Sequence, residues 1–381
     1  MKPFRNFAAT TALAALAAGA ASAEQTALVL YETKGTATPR HEALAFVEID
    51  PEAPEFGQIL AEIPLPPDMI AHHIFYNSAR DKAYVTALGR SELLVLDVTA
   101  FPYRKSVIDV PDCVVGEDVA FSRRLDRWYL TCMGSSVVVV GDATTDEVIE
   151  TIPTAEPWPH GITVRDDIGR FLVTSTNHPE TEEKAGDRIT EYDLATGKPL
   201  ASYRTTDGPA GEKPAPVEIF FVPGANPPVA YVTNSLGADM WLAEWQPGDR
   251  RFALREAFDF APLGQDIPLE VYFAEDASRA YVTTAAPGHL NAFDISDPLE
   301  PRHLAAIQTA PGAHHMVFSE DGRLGVVQNG LANIEGINDG SLTVVDLETF
   351  EQVATIDTFK EAGFTVNMIE LLPGSSRLHT H

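Results

Sequence analysis

Four of the eleven histidines in this chain form two adjacent pairs, His72-His73 and His314-His315. Each pair directly precedes a strand-like run, in the phrases IAHHIF and GAHHMVF. Imidazole nitrogen binds zinc, copper, iron and nickel, and a nearby carboxylate can complete or tune such a site. The two pairs therefore predict metal binding, provided that the fold brings them together.

A repeated pattern indicates which fold could do so. A short strand, a polar turn and a second strand recur seven times, from HHIFYNSARDKAYVTA at residue 72 to VNMIELLPGSSRLHTH at residue 366. The repeat length of about 43–57 residues is that of four-stranded propeller blades. We predict an all-β, seven-bladed β-propeller that forms one domain over residues 24–381. The last repeat has only two strands, so TALVLYET and EALAFVEID from the N-terminus are expected to complete the last blade.

Most of the histidines map to one face of this propeller, which we call the top. It carries the starts of the innermost strands, which line the central channel, and the loops between the second and third strands. The candidate metal ligands are His72, His73, His160, His314 and His315 at strand starts, and His379 and His381 at the end of the last blade's second strand. The polar residues predicted at the channel rim beside them are Glu117, Asp118, Glu218, Glu270 and Asn367.

The remaining histidines complete this distribution. His178 and His289 lie in or beside top-face loops, so nine of the eleven histidines are predicted at the top, with His41 and His303 at the bottom. Two long loops, 176–188 and 328–340, are predicted to overhang the same face, where sites are often built. The chain has no phosphate-binding loop, nucleophile elbow or dinucleotide fingerprint, and no catalytic residue is assigned.

Each candidate also has a simpler explanation. A lone histidine such as His160 often only hydrogen-bonds the channel mouth, and the C-terminal His-X-His could be an adventitious metal binder. Adjacent side chains of a strand point to opposite faces, so only one histidine of each pair is expected to reach the axis. Glu218 and Glu270 would more often satisfy backbone amides between blades than bind a metal.

The first 23 residues resemble a secretory signal. Lys2 and Arg5 precede an alanine-rich apolar stretch that ends in Ala-Ser-Ala at 21–23, which predicts export, most simply to a bacterial periplasm. No later segment approaches 18 consecutive apolar residues, so membrane insertion is not expected. In an oxidising compartment, Cys113 and Cys132 are expected to form a disulfide rather than ligate a metal.

The net charge of −28 arises from 27 basic and 55 acidic residues. Such a chain is a poor partner for nucleic acid or an anionic membrane surface. The charge favours metal cations and cationic protein partners.

Two stretches resemble the selenium-binding protein family, which includes methanethiol oxidases. They are LAFVEIDPEAPEFGQILAEIPLPPDMIAHHIFYN at 44–77 and FDISDPLEPRHLAAI at 293–307. The Tyr-Val-Thr phrases that begin at Tyr84, Tyr231 and Tyr281 are typical of a broad group of bacterial propellers. The resemblance implies a propeller with copper-dependent oxidation of methanethiol to formaldehyde, hydrogen sulfide and hydrogen peroxide, and it implies that His72 and His73 are copper ligands.

The chain departs from this family at two other positions. Family histidines precede the innermost strand of the second blade and lie in that of the last blade, where this chain reads CVVGEDVAF at 113–121 and TVNMIEL at 365–371. His160, His314, His315 and the C-terminal histidines could substitute for them, which would make a different site.

Three functions remain open at this stage. The first is a copper oxidase acting on a small thiol. The second is a carrier that passes zinc or copper to a periplasmic partner protein, and the third is an interaction propeller whose histidines are incidental. A closed four-ligand site would favour carriage or a structural role, and an open three-ligand site would favour catalysis.

Overall fold

A computed structural model of the protein describes residues 25–35, 37, 39–179, 181–208 and 212–374. The predicted signal at 1–23 and the candidate ligands His379 and His381 lie outside these residues. Within them, the chain forms seven four-stranded antiparallel sheets, which confirms the seven-bladed β-propeller. The described helices are a 3-10 turn at Ala261–Leu263 and α1 at Thr358–Glu361. Neither has the length and apolar character that crossing a membrane requires.

The strands are numbered in chain order. The N-terminal strands are β1 (Thr26–Thr33), β2 (Glu42–Glu48) and β3 (Ile59–Pro64). Blade one contains β4 (Ala71–Tyr76), β5 (Lys82–Ala87), β6 (Glu92–Asp97) and β7 (Arg104–Asp109). Blade two contains β8 (Gly116–Ser122), β9 (Arg127–Cys132), β10 (Val137–Asp142) and β11 (Val148–Pro153). Blade three contains β12 (Pro159–Arg165), β13 (Arg170–His178), β14 (Thr181–Asp193) and β15 (Pro199–Arg204).

The second half of the ring follows the same order. Blade four contains β16 (Pro216–Phe221), β17 (Val229–Asn234), β18 (Asp239–Gln246) and β19 (Arg251–Asp259). Blade five contains β20 (Asp266–Phe273), β21 (Arg279–Ala286), β22 (His289–Asp294) and β23 (Arg302–Gln308). Blade six contains β24 (Ala313–Phe318), β25 (Leu324–Asn329), β26 (Leu342–Asp346) and β27 (Glu351–Ile356), and the last strand is β28 (Phe364–Leu371).

The last blade joins the two ends of the chain, with the order β28-β1-β2-β3. The prediction that both ends share this blade is confirmed, but the expected division of two strands from each end is wrong. β1 pairs directly with β28, from Ala27 opposite Leu371 to Thr33 opposite Phe364, and so occupies the second position. The N-terminus therefore supplies three strands and the described C-terminal segment supplies one.

Burial explains the position of each strand in its blade. The first strand of each blade lies nearest the axis, where β4, β8, β12, β16, β20, β24 and β28 contact one another around the ring. Inner and middle strands such as β17 are buried along their whole length, because neighbouring blades cover both faces, and they read as apolar runs. The outermost strand β23 instead alternates between exposed positions and positions that are partly or fully buried. The hydrophobic core is thus a set of apolar layers between adjacent blades.

Three top-face details differ from expectation or add to it. His41 precedes β2 and lies at the top, because the turn from β1 to β2 is on that face; its placement at the bottom was wrong. The segment 176–188 is largely a hairpin extension rather than a loop, with His178 paired to Thr181. Cys113 and Cys132 form a disulfide beside the start of β8, where Cys132 pairs with Gly116.

Candidate metal centre

A bulge in the inner strand places the candidate ligands. In blade one, Ala71 pairs with Ala87 and Ile74 pairs with Val85, so His72 and His73 together face the single residue Thr86. The strand starts of blades two to six have the same irregularity. A β-bulge re-aims side chains and interrupts strict alternation. The expectation that only one histidine of each pair reaches the axis is therefore wrong.

The threonine of the Tyr-Val-Thr phrase holds this bulge in place. The backbone N–H of His73 donates to Oγ1 of Thr86 at 3.1 Å, and that of Glu218 donates to Oγ1 of Thr233 at 3.3 Å. The Thr233 hydroxyl in turn donates to the carbonyl of Leu269 in the next blade at 2.6 Å. In blade four the motif thus joins the bulge to the next blade, a role that the sequence analysis did not assign to it.

The chain enters each bulge through a left-handed residue. Ile70, Val115, Trp158, Ala215 and Ile267 have φ values of 49, 57, 56, 54 and 57° respectively. Such φ values are unfavourable for β-branched or bulky residues and persist where the surrounding structure over-determines them. The repeated turn directs the following side chains into the channel.

One group of candidate ligands comes from blades one, two and three. Nε2 of His72 and Nε2 of His160 each lie 3.5 Å from Oε2 of Glu117. His72 and Glu117 are buried, whereas the side chain of His160 retains 13% of its exposure. We call these three residues the open group.

The other group comes from blades one, five and six. Nε2 of His314 and Nδ1 of His315 lie 3.4 and 3.6 Å from Oε1 of Glu270. His73 completes this group, and its ring centroid is 4.9 Å from that of His315. All four side chains are buried. We call them the closed group.

The two groups adjoin each other through the histidine pairs. The ring centroids of His72 and His73 are 4.1 Å apart, and those of His72 and His314 are 5.8 Å apart. Ligands from five blades thus meet in one volume at the channel mouth. Within each group, the donor atoms of different residues lie within 4.8 Å of one another.

Further polar residues line this volume. Oε1 of Glu218 lies 2.8 Å from Nδ1 of His160, although the contact lacks hydrogen-bond geometry. Oδ2 of Asp118 accepts a hydrogen bond from the N–H of Ile162 at 3.1 Å. Asn367 donates to the carbonyl of Ala71 at 3.2 Å and lies outside both groups.

Glu218 and Glu270 do not play the role that the simpler explanation gave them. The two carboxylate oxygens of Glu218 make no hydrogen bond, and Glu270 faces the histidines of blade six. Gly161 accounts for the position of Glu218. A Cβ at residue 161 would lie 2.6 Å from the Val217 carbonyl and 2.8 Å from Oε2 of Glu218. The glycine therefore leaves room for Glu218 to reach His160.

Burial controls the charge of these groups. It holds the pKa of His72 and His73 well below the usual range and lowers the pKa of His314 to about 3, because an imidazolium loses its hydration. Burial raises the pKa of Glu117 to about 7 and that of Glu270 to about 8. The close His–carboxyl contacts are therefore not conventional ion pairs, since the metal-free site is mostly neutral.

The pKa values of Asp118 and Glu218 are raised well above the usual range for the same reason. Repulsion between carboxylates adds to burial at both residues, with Glu270 contributing in each case. Ionisation of any one of the four carboxyl groups therefore disfavours ionisation of the others in this poorly hydrated volume.

The donor atoms fit a metal ion. His73 Nε2 and Glu117 Oε2, one from each group, are buried without a hydrogen-bond partner, and leaving such atoms unpaired costs about 1–3 kcal/mol each. Metal ions in the channel would supply partners for both. Two further histidines lie elsewhere: His178 meets Trp158 edge to face, and His303 stacks against Phe258.

The comparisons with known proteins agree with this architecture. No protein-family model matches the chain. A methanethiol oxidase of Ruegeria pomeroyi is 28% identical over 141 residues, which cover 35% of this chain and 28% of that protein. The alignment thus spans less than a third of that relative.

Solved structures show the shared fold over more of the chain. A hypothetical selenium-binding protein from Sulfolobus tokodaii superposes with a TM-score of 0.76 at 16% identity, covering 95% of this chain and 96% of that one. The periplasmic gluconolactonase of Pseudomonas aeruginosa gives a TM-score of 0.63 at 13% identity, covering 87% and 94%. This chain is therefore a propeller distantly similar to selenium-binding proteins and to methanethiol oxidase.

Proposed function

We propose that this protein is a copper-dependent oxidoreductase that oxidises a small thiol with molecular oxygen. The observation that carries the proposal is the cluster of imidazole and carboxyl groups at the channel mouth, whose donor atoms are buried and in part unpaired. Imidazole-rich sites bind copper and zinc, and copper supplies redox chemistry that zinc lacks.

The open group is where a substrate would bind. Three protein donors leave a coordination position for a substrate molecule. His160 is the least buried of the donors, so its edge of the group faces the route from the top face. The close packing of the surrounding rings suits a substrate of a few atoms.

The chain's own residues would orient the donors. Glu218 lies against Nδ1 of His160, which leaves Nε2 to face Glu117 and His72. A carboxylate beside the far nitrogen of a histidine ligand helps to orient the ring. Both residues sit on inner strands whose bulges are held by hydrogen bonds, so this arrangement is rigid.

Similarity to methanethiol oxidase supports a thiol as the substrate class. With methanethiol, oxygen and water as reactants, the balanced products are formaldehyde, hydrogen sulfide and hydrogen peroxide. The signal-like N-terminus supports a periplasmic location.

The burial of the donors is a reason to prefer catalysis to metal carriage. A carrier must release its metal to a partner, whereas these donors come from five blades of a closed ring and all except His160 are buried. Incidental histidines are also disfavoured, because unpaired buried donors carry an energetic cost without a ligand.

The test is oxygen consumption by the tag-free, copper-loaded protein with methanethiol, with hydrogen sulfide measured in parallel. We expect turnover that His72→Ala abolishes and that His303→Ala, on the bottom face, leaves unchanged. Oxygen consumption no faster than that of the same concentration of free copper would reject the oxidase.

A further inference from the structure

The channel mouth offers two ligand groups rather than one. We infer that it binds two metal ions side by side, an open site in His72, Glu117 and His160 and a closed site in His73, Glu270, His314 and His315. The inference rests on the metal binding of the proposed function and extends it, since one copper ion needs only one of the groups.

The distances in the open group match a metal site. Two ligand atoms about 2.1 Å from a tetrahedral metal ion lie about 3.4 Å apart. Nε2 of His72 and Nε2 of His160 each lie 3.5 Å from Oε2 of Glu117. The open group therefore has nearly the required spacing, with Glu117 as its shared carboxylate.

The closed group has a similar donor spacing around a different carboxylate, that of Glu270. Oε1 of Glu270 lies 3.4 Å from Nε2 of His314 and 3.6 Å from Nδ1 of His315. Nδ1 of His73 lies 3.2 Å from the carbonyl oxygen of Glu117, which leaves the unpaired Nε2 as its metal-binding atom. Four protein donors would fill a tetrahedral shell, as in structural zinc sites.

No donor needs to serve both groups. Each has its own carboxylate, and the blade-one pair gives one histidine to each group, because the bulge aims both rings at the channel. A single ion could not contact all seven residues within ordinary coordination numbers. Two ions would use every donor.

The charge of the channel residues also supports the binding of two metal ions. Glu117, Asp118, Glu218 and Glu270 are all buried, and the ion-pair distances they form within the described residues involve histidines alone. Their four negative charges, when ionised, would be balanced by two divalent cations. One divalent cation would balance only two of these charges, and the other two carboxyls would stay protonated.

The number of protein donors gives the two sites different roles. The closed group lacks a free tetrahedral position and would hold its ion more tightly, whereas the open group retains one position for substrate. Two metal ions in adjacent sites can orient a substrate and share developing charge. We therefore expect the closed site to fill first.

The test is metal stoichiometry in the full-length protein carrying His379→Ala and His381→Ala, which removes the C-terminal histidines from the count. Metal-free protein is titrated separately with zinc(II) and copper(II), and bound metal is measured by elemental mass spectrometry after gel filtration. We expect about two equivalents per chain, falling to one with His160→Ala and to one with His315→Ala. His289→Ala, at the top face outside both groups, should keep two.

A spectroscopic readout and a conservative variant separate loss of a site from loss of fold. With both sites filled by copper(II), the electron paramagnetic resonance spectrum should show coupled spins. Glu117→Gln keeps the side-chain shape but weakens the open site, so its spectrum should show the signal of a single isolated copper ion. A single equivalent in the wild type that His160→Ala leaves unchanged, or uncoupled spins at full loading, would overturn the two-metal inference and leave the proposed function standing. No bound metal at all would overturn both.

Discussion

The inner strands have two halves with opposite chemistry. At the top, each strand is bulged and carries histidines and carboxyls; one or two residues further on, the same strands are regular and place Ile74, Val119, Ile219, Val271 and Met316 in the core. The apolar half stabilises the ring, while the polar half leaves donors unpaired. The unpaired donors are therefore confined to one end of the channel, where the bulges separate the polar half of each strand from its apolar half.

The contrast between the two halves is tested most strongly by substituting two adjacent residues, one in each half of the same strand. Ile219→Ala should lower the free energy of unfolding by about 2–5 kcal/mol, because a fully buried side chain would leave a cavity. Chemical denaturation of the metal-free protein measures this loss, and the metal stoichiometry of the folded variant should not change.

The matched variant is Glu218→Gln, one residue earlier. It removes a buried carboxyl without removing volume, so the metal-free protein should be at least as stable as the wild type. A large loss of stability from this variant would show that the polar half also holds the ring together.

The second largest effect is expected at Gly161. The Cβ of Gly161→Ala would collide with Glu218 and the Val217 carbonyl, and should shift the carboxylate that orients His160. Changes to residues that support metal ligands typically weaken metal affinity about 10–100-fold. Titration calorimetry measures this change, and Gly248→Ala, where no atom lies within 4 Å of the new Cβ, is the control. Equal affinities for the two variants would contradict the role given to Gly161.

A smaller effect is expected from the threonine that locks the blade-four bulge. Thr233→Val keeps the shape but removes both the acceptor for the Glu218 N–H and the donor to the Leu269 carbonyl. We expect a loss of about 1–3 kcal/mol in the free energy of unfolding. Thr233→Ser, which keeps the hydroxyl, should recover most of it, and failure of serine to do so would assign the effect to packing.

The smallest effect is the pH dependence of the metal-free protein. The raised pKa values of Glu117 and Glu270, about 7 and 8, mean that the folded state keeps protons that the unfolded state has lost, so these two groups make stability fall as the pH rises from about 4.5 until it passes 8. From pH 7 to 9 this loss is on the order of 1–2 kcal/mol. The lowered pKa values of His72 and His73 make stability fall below about pH 6.5, where the unfolded state takes up protons.

The two effects oppose each other below about pH 6.5, so thermal unfolding of the metal-free protein should show the pH dependence most clearly as a fall in stability from pH 7 to 9. Glu270→Gln should flatten this fall, because it removes the carboxyl whose pKa is about 8. A profile that keeps rising up to pH 9 would contradict the assigned charge states.

The sequence was sufficient to predict the fold and many of the residues that form the candidate metal site. The repeat length and the strand pairs predicted seven blades, and the position of His72 and His314 within the repeat predicted that they meet. Strand periodicity could not predict that His73 and His315 also face the channel, because a bulge breaks the alternation at that point. A threonine that recurs at this position in blades one to five was the available signal for the bulge, and in blade six Gln328 accepts from the His315 N–H in its place.

The closure of the last blade was only half predicted. TALVLYET was correctly assigned to the last blade but was expected as its third strand, because its pairing with β28 in the second position is long-range and local pattern does not encode it. Likewise, the division of the histidines into an open and a closed group depends on side-chain directions at the axis, which no spacing rule supplies.

The measurement that tests the central claim most directly is the metal content of the tag-free protein, compared with that of His72→Ala/His73→Ala. The double variant removes one donor from each group and leaves the apolar half intact. After reconstitution with copper, we predict at least about one tightly bound equivalent in the wild type. We predict almost none in the variant, with an unchanged denaturation midpoint of the metal-free form. Equal metal retention in both proteins would show that the channel mouth is not the metal centre.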